Sequence, residues 1–127
     1  MLIGLILKLP ACYLGNTRLV VSDKDGSGSI GPEEVLVEAA YYPFGLRLPG
    51  PYLHDSTVAD YLYLYNGKEL LSAHGLHLYH YGARLYDPGM SSWWQVDPLA
   101  EKYPSISPYA YVANNPIVFV DPDGRQI

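Results

Sequence analysis

Apolar and polar positions along this chain alternate in short runs broken by turn residues. Arg18 to Ser22 reads RLVVS, a β-branched strand pattern that stops at Asp23, where a polar Gly/Ser loop begins. A second apolar run, Val35 to Tyr42, resumes beyond Pro32, Glu33 and Glu34. Pro43 to Leu53 then sets three Pro and two Gly among apolar residues, which forbids a long helix and predicts an irregular connector. Tyr61 to Tyr65 alternates Tyr-Leu-Tyr-Leu-Tyr, and Leu76 to Tyr81 alternates again. With Asn66-Gly67 after the first run and Gly75 before the second, period two predicts antiparallel strands. After Asp87 the turns crowd together: Pro88-Gly89, Asp97-Pro98, Pro104, Pro108, Asn114-Asn115-Pro116 and Asp121-Pro122-Asp123-Gly124. Only short helical turns fit between them, best at Pro98 to Lys102, where Asp97 can cap and Pro98 can take the first position. The pattern therefore predicts a mainly β fold of antiparallel strands and hairpins, with a Pro-rich irregular C-terminal segment and little helix.

Composition narrows this further. A chain of 127 residues with 49% apolar content suits one domain or a piece of one. Thirteen residues are Tyr, whose rings pack while their hydroxyls need partners, which favours broad, partly polar β surfaces. The net charge is −5 and the eight Lys and Arg are scattered singly, so nucleic acid is not an expected partner. The single cysteine, Cys12, excludes an internal disulfide framework and a Cys-rich zinc site. The opening MLIGLILKLPAC is too short for a membrane span and lacks a positive n-region, so it reads as an apolar strand or a misassigned start rather than a signal peptide. On an alternating strand His74 and His80 share one face and His77 the other, so the three do not converge on a metal. No Ser-His-Asp order, nucleophile elbow or phosphate loop is present.

One loop carries candidate metal chemistry. Asp23 to Glu34 matches the twelve-residue EF-hand register: Asp23, Asp25 and Ser27 stand at positions 1, 3 and 5, Gly28 at 6, Ser29 at 7 to give its carbonyl, Ile30 at 8 and Glu34 at 12. Calcium takes six to eight hard oxygens, and this spacing wraps one loop around an ion. The alternative is a plain polar turn between two strands, since strand-like flanks replace the helices of an EF-hand. Either way, with no Met-rich helix pair to open, a bound ion would pin the connection structurally and would not switch it.

Three Asp-Pro pairs lie in the Tyr-rich block from Tyr79 to Gly124. GAR-x-YDP at Gly82 to Pro88, a Trp pair followed by VDPLA at Val96 to Ala100, SPYAYVANNP at Ser107 to Pro116 and VDPDG at Val120 to Gly124 follow in order. Upstream stand LGNTRLVVSD at Leu14 to Asp23, YYPFGL at Tyr41 to Leu46 and YNGKEL at Tyr65 to Leu70. This set resembles the C-terminal core of the Rhs (YD-repeat) family, and the resemblance divides the chain into a non-family segment 1–13, a YD-like β unit 14–53 with the calcium-type loop, and a repeat-associated core 54–127. It implies a shell-type β fold and a bacterial, secreted or surface polymorphic-toxin protein. Its partners would be upstream YD repeats and a C-terminal toxin domain in a longer parent. It also implies aspartate-dependent autoproteolysis, with Asp97 and Asp121 as the carboxylates, Arg84 and Asp87 as the neighbouring charged pair and the bond after Arg125 as the cleavage position. Two carboxylates held in a partly dry pocket suit general acid and base roles. The chain departs from the family pattern at Ala100, where Gly is usual, and at Arg125, where Leu is common. The competing interpretation makes each Asp-Pro a turn former whose side chain caps backbone amides.

Two other functions compete with a shell element. One is a free-standing calcium-stabilised β module that stacks carbohydrate or a cell surface on Tyr61, Tyr63, Tyr65, Trp93 and Trp94. The other is an inactive gene fragment, because a chain this short cannot close a large shell.

Overall fold

The computed structural model describes residues 5–10, 14–49 and 63–126. Strands β1 (Leu5–Pro10), β2 (Thr17–Asp23) and β3 (Val35–Glu38) form one antiparallel sheet in that order, with the loop 24–31 and a 3-10 turn at Pro32–Glu34 between β2 and β3. Strands β4 (Glu69–Leu71), β5 (Leu78–His80), β6 (Leu85–Asp87) and β7 (Ser92–Trp93) form a second antiparallel meander. Helix is confined to three-residue 3-10 turns among the described residues. The fold is mainly antiparallel β, as the alternation predicts. The N-terminal apolar run pairs along β2, while Cys12 and the 53/54 unit boundary lie outside the described residues.

One row of side chains organises the second sheet. The register places Leu70 beside Tyr79, Tyr79 beside Tyr86 and Tyr86 beside Trp93, so four strands project one apolar line into the interior. Against it pack Val20, Val37 and Ala39 of the first sheet, with Leu64, Tyr65, Tyr81, Tyr111 and Val112, giving both sheets one core. The buried tyrosines satisfy their hydroxyls locally. Tyr65 Oη donates to the Pro43 carbonyl at 2.9 Å, Tyr86 Oη to the Phe44 carbonyl at 2.6 Å, and Asn66 Nδ2 donates to Tyr81 and Tyr111 at 2.7 and 2.6 Å. Burial pushes the Tyr79 hydroxyl up to about 12 and raises Tyr65, Tyr81 and Tyr86 well above the ordinary phenol, so all remain neutral donors.

Three elements differ from expectation. Tyr65 opens a 3-10 turn, and Tyr63 makes only an isolated bridge to Glu69, so the alternating run does not continue as a strand there; Tyr61 lies outside the described residues. The cause is local: Asn66 at φ 50° and Gly67 at φ 67° turn the chain at once, which drives the Tyr65 ring into the core and makes β4 the hairpin partner of β5. β3 stops at Glu38, short of Tyr42. Tyr65 and Trp93 are buried, so they cannot join Tyr63 and Trp94 in a surface platform for sugars.

Candidate self-cleavage site and acidic loop

Arg84 is the centre of the first candidate site. Gly82, at φ 109°, and a bond from the Tyr81 amide to the Arg84 carbonyl (3.1 Å) tighten the β5–β6 turn and point Arg84 inward. Its guanidinium lies 4.2 Å from the Trp93 ring centroid. Nε donates to the Gly124 carbonyl at 2.6 Å, and Nη2 stands 3.4 Å from Asp121 Oδ2, 4.0 Å from Asp97 Oδ1 and 3.3 Å from the Gln126 carbonyl. Burial lowers the Arg84 pKa from its ordinary value, and Asp97 and Asp121 oppose that shift. Residues 24 positions apart in sequence thus share one buried cation.

The two aspartates are held differently. Asp121 is fully buried, and its Oδ1 accepts amide protons from Asp123, Gly124 and Arg125 while Oδ2 accepts from Gln126 at 2.8 Å. Asp97 Oδ1 accepts from the Leu99 amide at 2.7 Å, whereas the buried Oδ2 has no hydrogen-bond partner among the described residues. Both aspartates therefore initiate turns, and both also face Arg84, so the turn-forming and paired-carboxylate geometries coexist. Asp87 is elsewhere: it accepts from the Gly89 and Met90 amides and from Trp94 Nε1. Arg84 lies in the turn before β6 and Asp87 at its end, bonded to other partners, so the expected Arg84–Asp87 pair is replaced by Arg84 with Asp97 and Asp121.

The turn after Asp121 is anchored one carbonyl at a time. Lys68 Nζ donates to Pro122 O at 2.5 Å, the Ala83 amide to Asp123 O at 3.0 Å, and Arg84 to Gly124 O and Gln126 O. Among the described residues the Arg125 carbonyl accepts no hydrogen bond. Gly124 has φ 77°, and a Cβ there would stand 3.0 Å from the Arg84 amide nitrogen and 3.1 Å from Tyr81 Cβ, so this Gly is required by shape. Ala100 instead begins a right-handed 3-10 turn, Ala100–Lys102, where a side chain costs nothing, so its departure from the family Gly leaves Asp97 in place. Sequence reasoning did not single out Lys68 or Trp93 for this site, although both lie inside quoted family motifs.

The loop of Asp23 to Glu34 is the second candidate site. One carboxylate oxygen from each of Asp23, Asp25 and Glu34 lies within 4.8 Å of the others, which suits a calcium ion because two of its ligand oxygens stand at most about 5 Å apart across it. Asp23 accepts from the Gly26, Ser27 and Gly28 amides, Asp25 from Ser27, and Glu34 from Lys24, Asp25 and Gly31. Ser27 Oγ donates to the Ser29 carbonyl at 3.0 Å. The Asp25 carboxyl is held below its usual range by hydrogen bonds from Ser27, and Glu34 by the Gly31 and Lys24 amides. His74, His77 and His80 form no such group with other ligating side chains among the described residues.

No protein-family model matches the chain. The toxin subunit YenC1 of Yersinia entomophaga is 37% identical over 111 residues, 87% of this chain, and toxin subunit YenC2 of the same organism is 37% identical over 84 residues, 66% of this chain. The chain is a homologue of toxin subunits. A salivary gland surface protein of Aedes aegypti is also 37% identical over 110 residues, 84% of this chain. The crystal structure of TcdB2-TccC3 without its hypervariable C-terminal region superposes with a TM-score of 0.72 at 27% identity over 95% of the chain. The Tc holotoxin pore of Photorhabdus luminescens does so at 0.65, with 28% identity over 94%. The chain spans only 3 to 10% of the curated relatives and 5% of the solved chains. No helix among the described residues is long and apolar enough to cross a membrane.

Proposed function

We propose that this chain is the C-terminal core segment of an Rhs-type toxin protein, an element of an encapsulating β shell, and that Asp97 and Asp121 cut it after Arg125. The longer parent would supply upstream YD repeats and a C-terminal toxin domain, and would be secreted. The observation that carries the cleavage reading is the contact of Asp121 Oδ2 with the Gln126 nitrogen, the leaving group of that bond, beside a neighbouring carbonyl that accepts no hydrogen bond. In this mechanism Asp97 Oδ2, buried and without a partner, takes a proton from water as the water oxygen attacks the Arg125 carbonyl carbon. The pair shares one proton: in the form that holds it on Asp121 Oδ2, Asp121 gives that proton to the Gln126 nitrogen as the C–N bond breaks and regains one from the newly formed Arg125 carboxyl group. The products are an Arg125 carboxylate and a free Gln126 amine. Arg84 offsets the one negative charge that the pair carries in that form and fixes the turn that presents the bond.

Intact-mass analysis of the chain extended past Ile127 by a passenger tests this. Release of the passenger with Gln126 at its new N-terminus is expected, and Asp97→Asn should slow release by two to four powers of ten, about the worth of one acid or base group. Because the reaction is intramolecular, its rate should not change with protein concentration. A folded wild type that stays whole would defeat the reading.

We propose as well that the loop of Asp23, Asp25, Ser27, Ser29 and Glu34 binds calcium as a structural ion. The convergence of three carboxylate oxygens in the EF-hand register supports this.

A further inference from the structure

The three carbonyls that precede Arg125 are tied down, and two of the ties come from the Arg84 turn itself. The third comes from a distant element. Lys68, 54 positions earlier, reaches Pro122 O at 2.5 Å, and its ammonium stands 5.2 Å from the centroid of the Tyr81 ring. The backbone of Lys68 is itself fixed: its amide donates to the Tyr65 carbonyl at 2.9 Å and its carbonyl accepts from the Leu64 amide at 3.1 Å. The anchor point therefore belongs to the same segment that inserts Leu64 and Tyr65 into the core. Pro122 contributes no amide proton, so its carbonyl is its backbone handle on the rest of the fold.

We propose that Lys68 is a positioning residue for self-cleavage, holding the Asp121–Gly124 turn at its start so that the Gln126 nitrogen stays against Asp121 Oδ2. This rests on the reading of Asp97 and Asp121 as the cleaving pair. Lys68 touches none of the reacting atoms and acts through Pro122. Its effect is geometric, and a misplacement of about 1 Å at a reacting bond can cost on the order of a hundredfold in rate.

The test compares Lys68→Met, which keeps an unbranched aliphatic side chain and deletes the ammonium that donates to Pro122, with Lys68→Arg, which can still donate to Pro122. Lys68→Met should slow passenger release by roughly ten- to a hundredfold with an unchanged thermal midpoint, and Lys68→Arg should restore most of the rate. Hydrogen exchange at the Gly124 and Gln126 amides, read in the Asp97→Asn background where the chain stays whole, should rise with Lys68→Met and not with Lys68→Arg. Wild-type release from Lys68→Met, or unchanged exchange at both amides, overturns the role of Lys68. An uncleaved wild type in which Lys68→Met still raises exchange upholds the anchor and overturns the cleavage reading, so the two failures are distinguishable.

Discussion

At the scale of single residues, Asp97 and Asp121 divide what a turn-forming aspartate and a catalytic one require. Asp121 takes four backbone amides on its two oxygens, so Asp121→Asn replaces one acceptor by an NH2 group that must face a buried N–H. An unmet buried donor costs about 1–3 kcal/mol, so this substitution should lower chemical-denaturation stability as well as stop cleavage. Asp97 spends only one oxygen on the backbone, and Asp97→Asn should slow cleavage while costing less stability than Asp121→Asn. Equal destabilisation by both would argue that Asp97 is only a turn former. The resemblance named both carboxylates and Arg84 from sequence, and the structure brings these three together. It could not place Asp87, because a motif shows which residues are adjacent in the chain but not which partners each meets in the fold.

At the scale of elements, two loops carry the chemistry, and each is fixed by backbone shape. Gly124→Ala forces a Cβ against Arg84 N and Tyr81 Cβ at positive φ, so it should displace the cleavage turn, with loss of passenger release and a destabilisation of at least about 1 kcal/mol. In the β2–β3 loop, the folded pKa values of Asp25 and Glu34 lie below their unfolded values. Their contribution is therefore complete above the ordinary carboxylate range near pH 4 and is lost as pH falls through the lower folded values. If the loop binds calcium, millimolar calcium should raise the thermal midpoint in a concentration-dependent way at neutral pH, and Glu34→Gln should abolish the rise. A midpoint insensitive to calcium would leave a turn closed by its own amides. β2 was legible from its β-branched run and β5 from its alternating sequence after Gly75, although neither alternates in burial, since Val20 to Ser22 and Leu78 to Tyr79 are buried in succession. The Tyr-Leu-Tyr run was misleading because period two reports alternating burial, and the αL conformations of Asn66 and Gly67 then redirect the chain before a strand can form.

At the scale of the molecule, the core is rich in Tyr and holds Trp93, but much apolar surface stays outside it. Ile117, Val118 and Phe119 are each at least half exposed in succession, and Trp94, Val96 and Met90 are exposed beside β7. In the first sheet β1 and β3 are outer strands with no further strand partner among the described residues. Unpaired strand edges and contiguous apolar surface recruit other β structure, and the solved relatives align to this chain over only 5% of their own length. If the chain is the shell segment proposed above, it should behave as an incomplete surface when isolated. The chain alone should self-associate as concentration rises and should bind a hydrophobic dye such as ANS while keeping its β circular dichroism. Replacing Val118 and Phe119 with Lys, which adds charge at exposed positions without touching the core, should reduce both effects. Light scattering and dye fluorescence across a concentration series read the outcome. A monodisperse, dye-silent monomer would favour an autonomous β module instead, because a complete domain has already covered the edges and the apolar rows that a shell segment leaves for its neighbours.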